Sequence, residues 1–149
     1  MPYVFIYHAG SQSFAKREDI EQIMLRSYNS FLQKWGFNTL EATRINHIAI
    51  GKIQAGRRQN FRVLEIGCGC GATLMHLKYL FPEAKVYGIE NNPVAAQMAV
   101  QYAMIYCSMD NITEKSDYVI VTSGKVQEQK TKNLLNQGGI FISENENKR

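Results

Sequence analysis

Three glycines and two acids hold the spacing in this sequence that points to chemistry. Residues 63–74 read V-L-E-I-G-C-G-C-G-A-T-L. An apolar run leads to Glu65, then Gly67, Gly69 and Gly71 alternate, and a helical pattern follows directly. That order predicts a strand, a tight glycine turn and a helix N-terminus. Such a turn lets a ligand approach bare backbone, so a bulky residue at Gly67 or Gly69 is expected to block it. Residues 85–90, K-V-Y-G-I-E, predict a second strand that ends in an acid. Glu90 stands 19 positions after Gly71, about where a ribose-binding carboxylate follows a glycine loop of this type.

These residues resemble a known family. E-I-G-C-G-C-G is similar to the E-x-G-x-G-x-G loop of class I S-adenosylmethionine-dependent methyltransferases, and Glu90 matches the ribose-binding acid of that family. The resemblance runs from about Phe61 to Ser143, over half the chain. It looks closest to small methyltransferase domains found with bacterial surface-polysaccharide enzymes. It implies S-adenosylmethionine as cofactor and methyl transfer to a small-molecule or sugar-like acceptor. It also implies cofactor-binding roles for particular residues. Gly67, Gly69 and Gly71, with Cys68 between them, would cradle the amino-acid part. Glu65 would attract its ammonium, directly or through water, unless it only orders the loop. Glu90, followed by Asn91, would accept the ribose hydroxyls. Met109 and Asp110 resemble the positions that meet adenine, although a turn-forming Asp-Asn reading stands beside this one. Thr122, with Ser123 after it, would line the cofactor at the end of the fourth strand. No general base declares itself there, where residues 121–125 read V-T-S-G-K.

The elements that must position these groups follow from periodicity. Ile20, Ile23, Met24, Tyr28, Phe31 and Trp35 form a helical stripe that Gly36 ends. Asn38 with Glu41 predicts a new helix start, and Ile45, Ile48, Ala49 and Ile53 continue an apolar face until Gly56. From residue 61 the pattern alternates. Strands are expected over 61–66, 86–90, 103–108, 117–122 and 140–143, and helices over 72–80, from Asn92 to about Tyr102, and over 125–136. Val94, Met98 and Tyr102 are the expected buried stripe of the middle helix, and Gly138-Gly139 the expected end of the last. Pro93 suits a first helical position. The fold class expected is α/β, a Rossmann-like, mainly parallel sheet with helices on both faces, preceded by an N-terminal helical segment. The resemblance implies strand order 3-2-1-4-5. One domain over 1–149 is expected, with a strand and helical preface over 1–60 and the cofactor-binding core over 61–149.

Composition narrows the class. The chain has 149 residues, 45% hydrophobic and 20% charged, which fits a folded globular domain. No run approaches a membrane span, and residues 1–10 lack a basic leader, so a cytoplasmic protein is expected. Three cysteines make a disulfide framework improbable. Cys68 and Cys70 with His76 lack the usual zinc spacing, so no metal is expected. The charge of +4 gathers at Lys16-Arg17 and at Arg57-Arg58 near Arg62. Such clusters could meet phosphates, but a solvated surface is the commoner cause, and nucleic acid is not the expected partner.

Two other functions stand beside the enzyme. One is a non-catalytic S-adenosylmethionine- or S-adenosylhomocysteine-binding protein or subunit. The other is an NAD-binding oxidoreductase, because Gly67, Gly69 and Ala72 also satisfy G-x-G-x-x-A. Glu65 argues against the latter, since a carboxylate at the loop repels a pyrophosphate. The family adds two strands after the fifth, which this sequence lacks. An open fifth strand is therefore expected to be covered by residues 3–7, Y-V-F-I-Y, from the same chain or from a second copy in a homodimer.

Overall fold

The computed structural model describes residues 19–122 and 128–143. The chain divides into two units, Met1–Gly36 and Phe37–Arg149. In the first, α1 (Ile20–Trp35) carries Glu21 in its first turn and Lys34 in its last, both matched to the helix dipole. Gly36 closes it in the left-handed region, its N–H donating to the Leu32 carbonyl. Phe31 and Trp35, one turn apart, bring their ring centroids to 6.2 Å.

The second unit opens with α2 (Thr39–Ala42), where Asn38 accepts from the Leu40 N–H as expected. The apolar face was expected to run on to Gly56 as one helix. It breaks after Ala42 and restarts as α3 (His47–Gly51). In a continuous helix the Ala42 carbonyl would accept from the Asn46 N–H. Both groups are bonded elsewhere: the carbonyl takes the Cys70 N–H at 2.7 Å, and the Asn46 N–H donates to Thr73 Oγ1 at 3.0 Å. Asn46 then caps α3, its Oδ1 accepting from the Ala49 N–H at 2.9 Å.

The sheet follows as β1 (Arg62–Ile66), α4 (Ala72–Leu80), β2 (Lys85–Ile89), α5 (Pro93–Ala99), β3 (Met104–Tyr106), β4 (Ser116–Val121), α6 (Glu128–Lys132) and β5 (Leu135–Ser143). All pairings are parallel and the order is β3-β2-β1-β4-β5. This is the expected Rossmann-like α/β architecture. Alternation along the strands sends Val63, Val86, Tyr118, Ile120 and Ile142 into a core with Ala49, Ile50, Leu74, Leu77 and Ala99. Leu64, Ile66, Ile89, Val119 and Val121 form the core on the opposite face.

Three further features differ from expectation. The buried positions of α5 are Ala95 and Ala99, while Met98 is 48% exposed. The glycine turn comes close to α5 at Ala99: a Cβ on Gly71 would lie 2.9 Å from the Ala99 Cα. β3 ends at Tyr106, because Ser108 turns the chain into a 3-10 turn over Met109–Asn111, its Oγ accepting from the Asp110 N–H. The last helix ends at Lys132 and β5 begins at Leu135, so Gly138-Gly139 lies inside the strand. A bulge absorbs it: Ser116 pairs with Leu135 but Tyr118 with Ile140.

Arg62, the first residue of β1, pairs with Glu114 and lies 4.4 Å from the Tyr87 ring centroid. Its charge is therefore used within the fold. Among the described residues, no helix is long and apolar enough to cross a membrane. Residues 3–7, expected to cover the β5 edge and to favour a homodimer, lie outside the described residues.

Leu77 is fully buried in the core between α4 and the sheet. Leu77→Ala is expected to lower the unfolding free energy by about 2–5 kcal/mol, read as a shift of the denaturant midpoint. A loss below about 1 kcal/mol would show that this core is not packed as described.

Candidate functional site

Parallel pairing sets the C-terminal ends of β1, β2 and β4 side by side. The glycine loop, residues 67–71, leaves β1 at that edge and enters α4. Its amides are all bonded within the protein. The Gly67 and Cys68 N–H groups both donate to the Ile89 carbonyl, at 2.9 and 3.1 Å. The Gly69 N–H donates to Glu90 Oε2 at 2.9 Å. The Cys70 N–H goes to Ala42 and the Gly71 N–H to the Cys68 carbonyl at 3.0 Å. Gly67, Gly69 and Gly71 all have positive φ. At Gly69 the demand for glycine comes from inside the chain: a Cβ would stand 2.5 Å from the Ala42 carbonyl oxygen. The close approach of α2 thus demands glycine at this position from within the protein.

Glu90 stands at the tip of β2 and is 9% exposed. Its second oxygen, Oε1, accepts from the Asn92 N–H at 2.8 Å. Asn92 caps α5 by accepting from Val94 and Ala95, with Pro93 at the first helical position. Glu90 is thus held by two backbone dipoles and fixes both the loop and the entry to α5. Each carboxylate oxygen offers two lone pairs, so both can still accept another hydrogen bond.

Glu65 is fully buried at the end of β1. Period-two alternation places Glu65 and Thr122 on the face that α3 covers. Thr122 Oγ1 donates to Glu65 Oε1 at 2.6 Å and accepts from Asn46 Nδ2 at 3.2 Å. Two carboxylates therefore flank one glycine loop. Burial, and then the charges of Glu65 and Glu90, push the Cys68 thiol up; burial and Glu90 do the same to Cys70.

The other expected site residues are spread along the same edge. Asn91 is exposed between Glu90 and the Asn92 cap. Met109 is half-buried against the core of the second sheet face. Asp110 is exposed, its Oδ2 accepting from Ser108 Oγ at 3.2 Å within the 3-10 turn. Residues 123–127, and Tyr3, Tyr7 and His8, lie outside the described residues. Sequence reasoning missed Asn46 and the Ala42 carbonyl. A signal was present: asparagine is a poor interior helix residue and a strong N-cap.

No protein-family model matches the chain, and no curated protein matches its sequence. Solved structures do match. A precorrin-6y C5,15-methyltransferase from Geobacter metallireducens superposes with a TM-score of 0.54 at 14% identity, over 65% of this chain and 59% of the other. A geranyl diphosphate C-methyltransferase from Streptomyces coelicolor, in complex with S-adenosyl-L-homocysteine, gives 0.56 at 10% identity, over 91% and 54%. An acetophenone reductase from Geotrichum candidum, in complex with NAD, gives 0.53 at 18% identity, over 67% and 30%. This chain spans less than two thirds of the length of each. It has the Rossmann-like fold of the class I S-adenosylmethionine-dependent methyltransferases, and at these identities the likeness is one of fold.

The thiols give a test of the site's polarity. Cys68 is buried and Cys107 exposed. At about pH 7.5 an alkylating reagent is expected to modify Cys107 in the native protein and Cys68 only after denaturation. The Cys68 thiol is raised in the fold, so its neutral form favours folding below the ordinary thiol range, and that contribution falls as pH rises through and above it. Peptide mass spectrometry and alkaline melts check both; equal labelling of the two cysteines would contradict the burial.

Proposed function

We propose that the protein is a methyltransferase unit that binds S-adenosylmethionine at the C-terminal edge of the sheet. Its acceptor in this reading is a small or sugar-like molecule. The observation that carries this reading is the state of the glycine loop. The amides of residues 67–71 are all engaged within the protein, and two buried carboxylates, Glu65 and Glu90, flank them, where a pyrophosphate would meet repulsion. That environment favours a cation over an anion. S-adenosylmethionine carries a sulfonium and an ammonium; a dinucleotide carries a pyrophosphate.

In this reading Glu90 accepts the ribose hydroxyls through its remaining lone pairs. Gly67, Cys68, Gly69 and Gly71 shape the seat of the amino-acid end, beside Glu65 and Thr122. Asn91, Met109 and Asp110 lie toward the nucleoside. The cofactor supplies an activated methyl group when bound. The protein's part is to bind and orient, which needs no acid or base on the cofactor side.

A second reading has an observation of its own. The Thr122 hydroxyl, at the end of β4, is engaged with Glu65 and Asn46, so it is not poised to deprotonate an acceptor. This favours an S-adenosylmethionine- or S-adenosylhomocysteine-binding subunit without turnover. Free thiols at Cys68, Cys70 and Cys107 fit a reducing compartment such as the cytoplasm in either case.

Calorimetric titration separates the readings. S-adenosylhomocysteine is expected to bind and NAD is not. Glu90→Gln is expected to weaken S-adenosylhomocysteine by about 1–3 kcal/mol, the scale of hydrogen bonds to a charged group. Tighter binding of NAD would overturn the proposal, and an unchanged affinity in Glu90→Gln would remove the ribose assignment. Transfer of labelled methyl to a panel of small acceptors distinguishes enzyme from binder.

A further inference from the structure

The polar chain from Asn46 through Thr122 to Glu65 has a direction. Asn46 is 3% exposed and held from two sides. Its backbone N–H donates to Thr73 Oγ1, and its Oδ1 accepts from the Ala49 N–H. The Ala49 donor fixes which side of the amide is oxygen, so the NH2 group must face Thr122. Nδ2 donates to Thr122 Oγ1 at 3.2 Å, and Oγ1 donates its own proton to Glu65 Oε1 at 2.6 Å. That length falls in the range of about 2.5–2.7 Å for a hydroxyl on a carboxylate. The Thr122 hydroxyl thus has its proton on Glu65 and one lone pair on Asn46. What it can still offer is its second lone pair. Glu65 is fully buried and Thr122 only half-buried, so Thr122 is the outer member of the pair.

We propose that Asn46 is a positioning residue that makes this corner of the site an acceptor only, and so selects a ligand end that carries a protonated amine. The inference rests on the S-adenosylmethionine reading, in which that amine is the ammonium of the cofactor's amino-acid end. Asn46 acts through Thr122. Without its donor, Thr122 loses one of the two hydrogen bonds that fix its hydroxyl, and its hold on Glu65 Oε1 is loosened. The ribose contact at Glu90 belongs to a separate set of hydrogen bonds and is not affected.

The test uses two probes on the full chain. S-adenosylhomocysteine carries the amine; 5′-methylthioadenosine has the same thioether, ribose and adenine without the amino-acid end. Asn46→Leu and Thr122→Val are each expected to weaken S-adenosylhomocysteine about tenfold while 5′-methylthioadenosine stays within about twofold. The double variant is expected to lose no more than about tenfold, because both changes break one chain. Thr122→Ser, which keeps the hydroxyl, is expected to recover what Thr122→Val loses. If Asn46→Leu does not fold, the Thr122 pair carries the same comparison. An equal loss for both probes would make Asn46 merely structural and overturn the proposal. So would wild-type protein that binds the two probes equally, although the cofactor reading would then stand. Wild-type protein that binds neither probe would remove the cofactor reading and this inference together.

Discussion

One hydrogen bond that a helix would have made, between the Ala42 carbonyl and the Asn46 N–H, is exchanged for two that tie the chain to its glycine loop. The carbonyl goes to Cys70 and the N–H to Thr73. Breaking a helix between two apolar stretches leaves polar backbone that must be satisfied elsewhere. Here both groups find partners on the turn that leads into α4 and on α4 itself. The exchange locks residues 42–46 against the loop. It explains why Gly69 tolerates no side chain, and why Asn46 is buried where it can reach Thr122. The site is therefore built as much by the segment before β1 as by the strands.

The readable parts of the sequence were those where one residue type has one physical use. Gly67, Gly69 and Gly71 in alternation, Asn92 before Pro93, and Gly36 after a sixteen-residue helix each mark a turn or a cap, and each stands where expected. The alternation of strand and helix predicted a mainly parallel sheet, while its order, β3-β2-β1-β4-β5, was legible only through the family resemblance. The illegible parts depend on partners distant in sequence. The apolar positions Ile45, Ile48, Ala49 and Ile53 look the same in one helix or two, and only the pull of Cys70 and Thr73 decides. Met98 is a better core residue than Ala99 by hydrophobicity, yet it is Ala99 that faces the glycine turn, where a Cβ on Gly71 would lie 2.9 Å from its Cα. The Glu65 carboxyl was legible as an acid at a strand end; its hydroxyl partner 57 residues away was not legible as a partner.

The same fold serves a methyltransferase and a reductase in complex with NAD among the structures this chain resembles. The choice between such ligands cannot lie in strand order. It lies in how the loop's donors are used. In this chain Glu90 takes one loop amide and the Ile89 carbonyl takes two. The groups that hold the turn rigid thus occupy the amides of residues 67–71, and the carboxylates of Glu65 and Glu90 stand beside them.

The bulge in β5 bears on how this chain can change over time. Between its pairings with Ser116 and Tyr118, the edge strand makes a detour from Leu135 to Ile140. Asp117 sits opposite this detour, one oxygen on the Arg62 N–H at 2.8 Å and the other on Asn136 Nδ2 at 2.7 Å. Above it, Ile140 to Ser143 keep strict register with β4. The detour acts as an expansion joint. A residue gained or lost within it can be taken up locally, at a small cost in loop entropy, without turning Ile142 away from the core. Insertions and deletions should therefore collect at residues 136–139, while the glycine turn admits none.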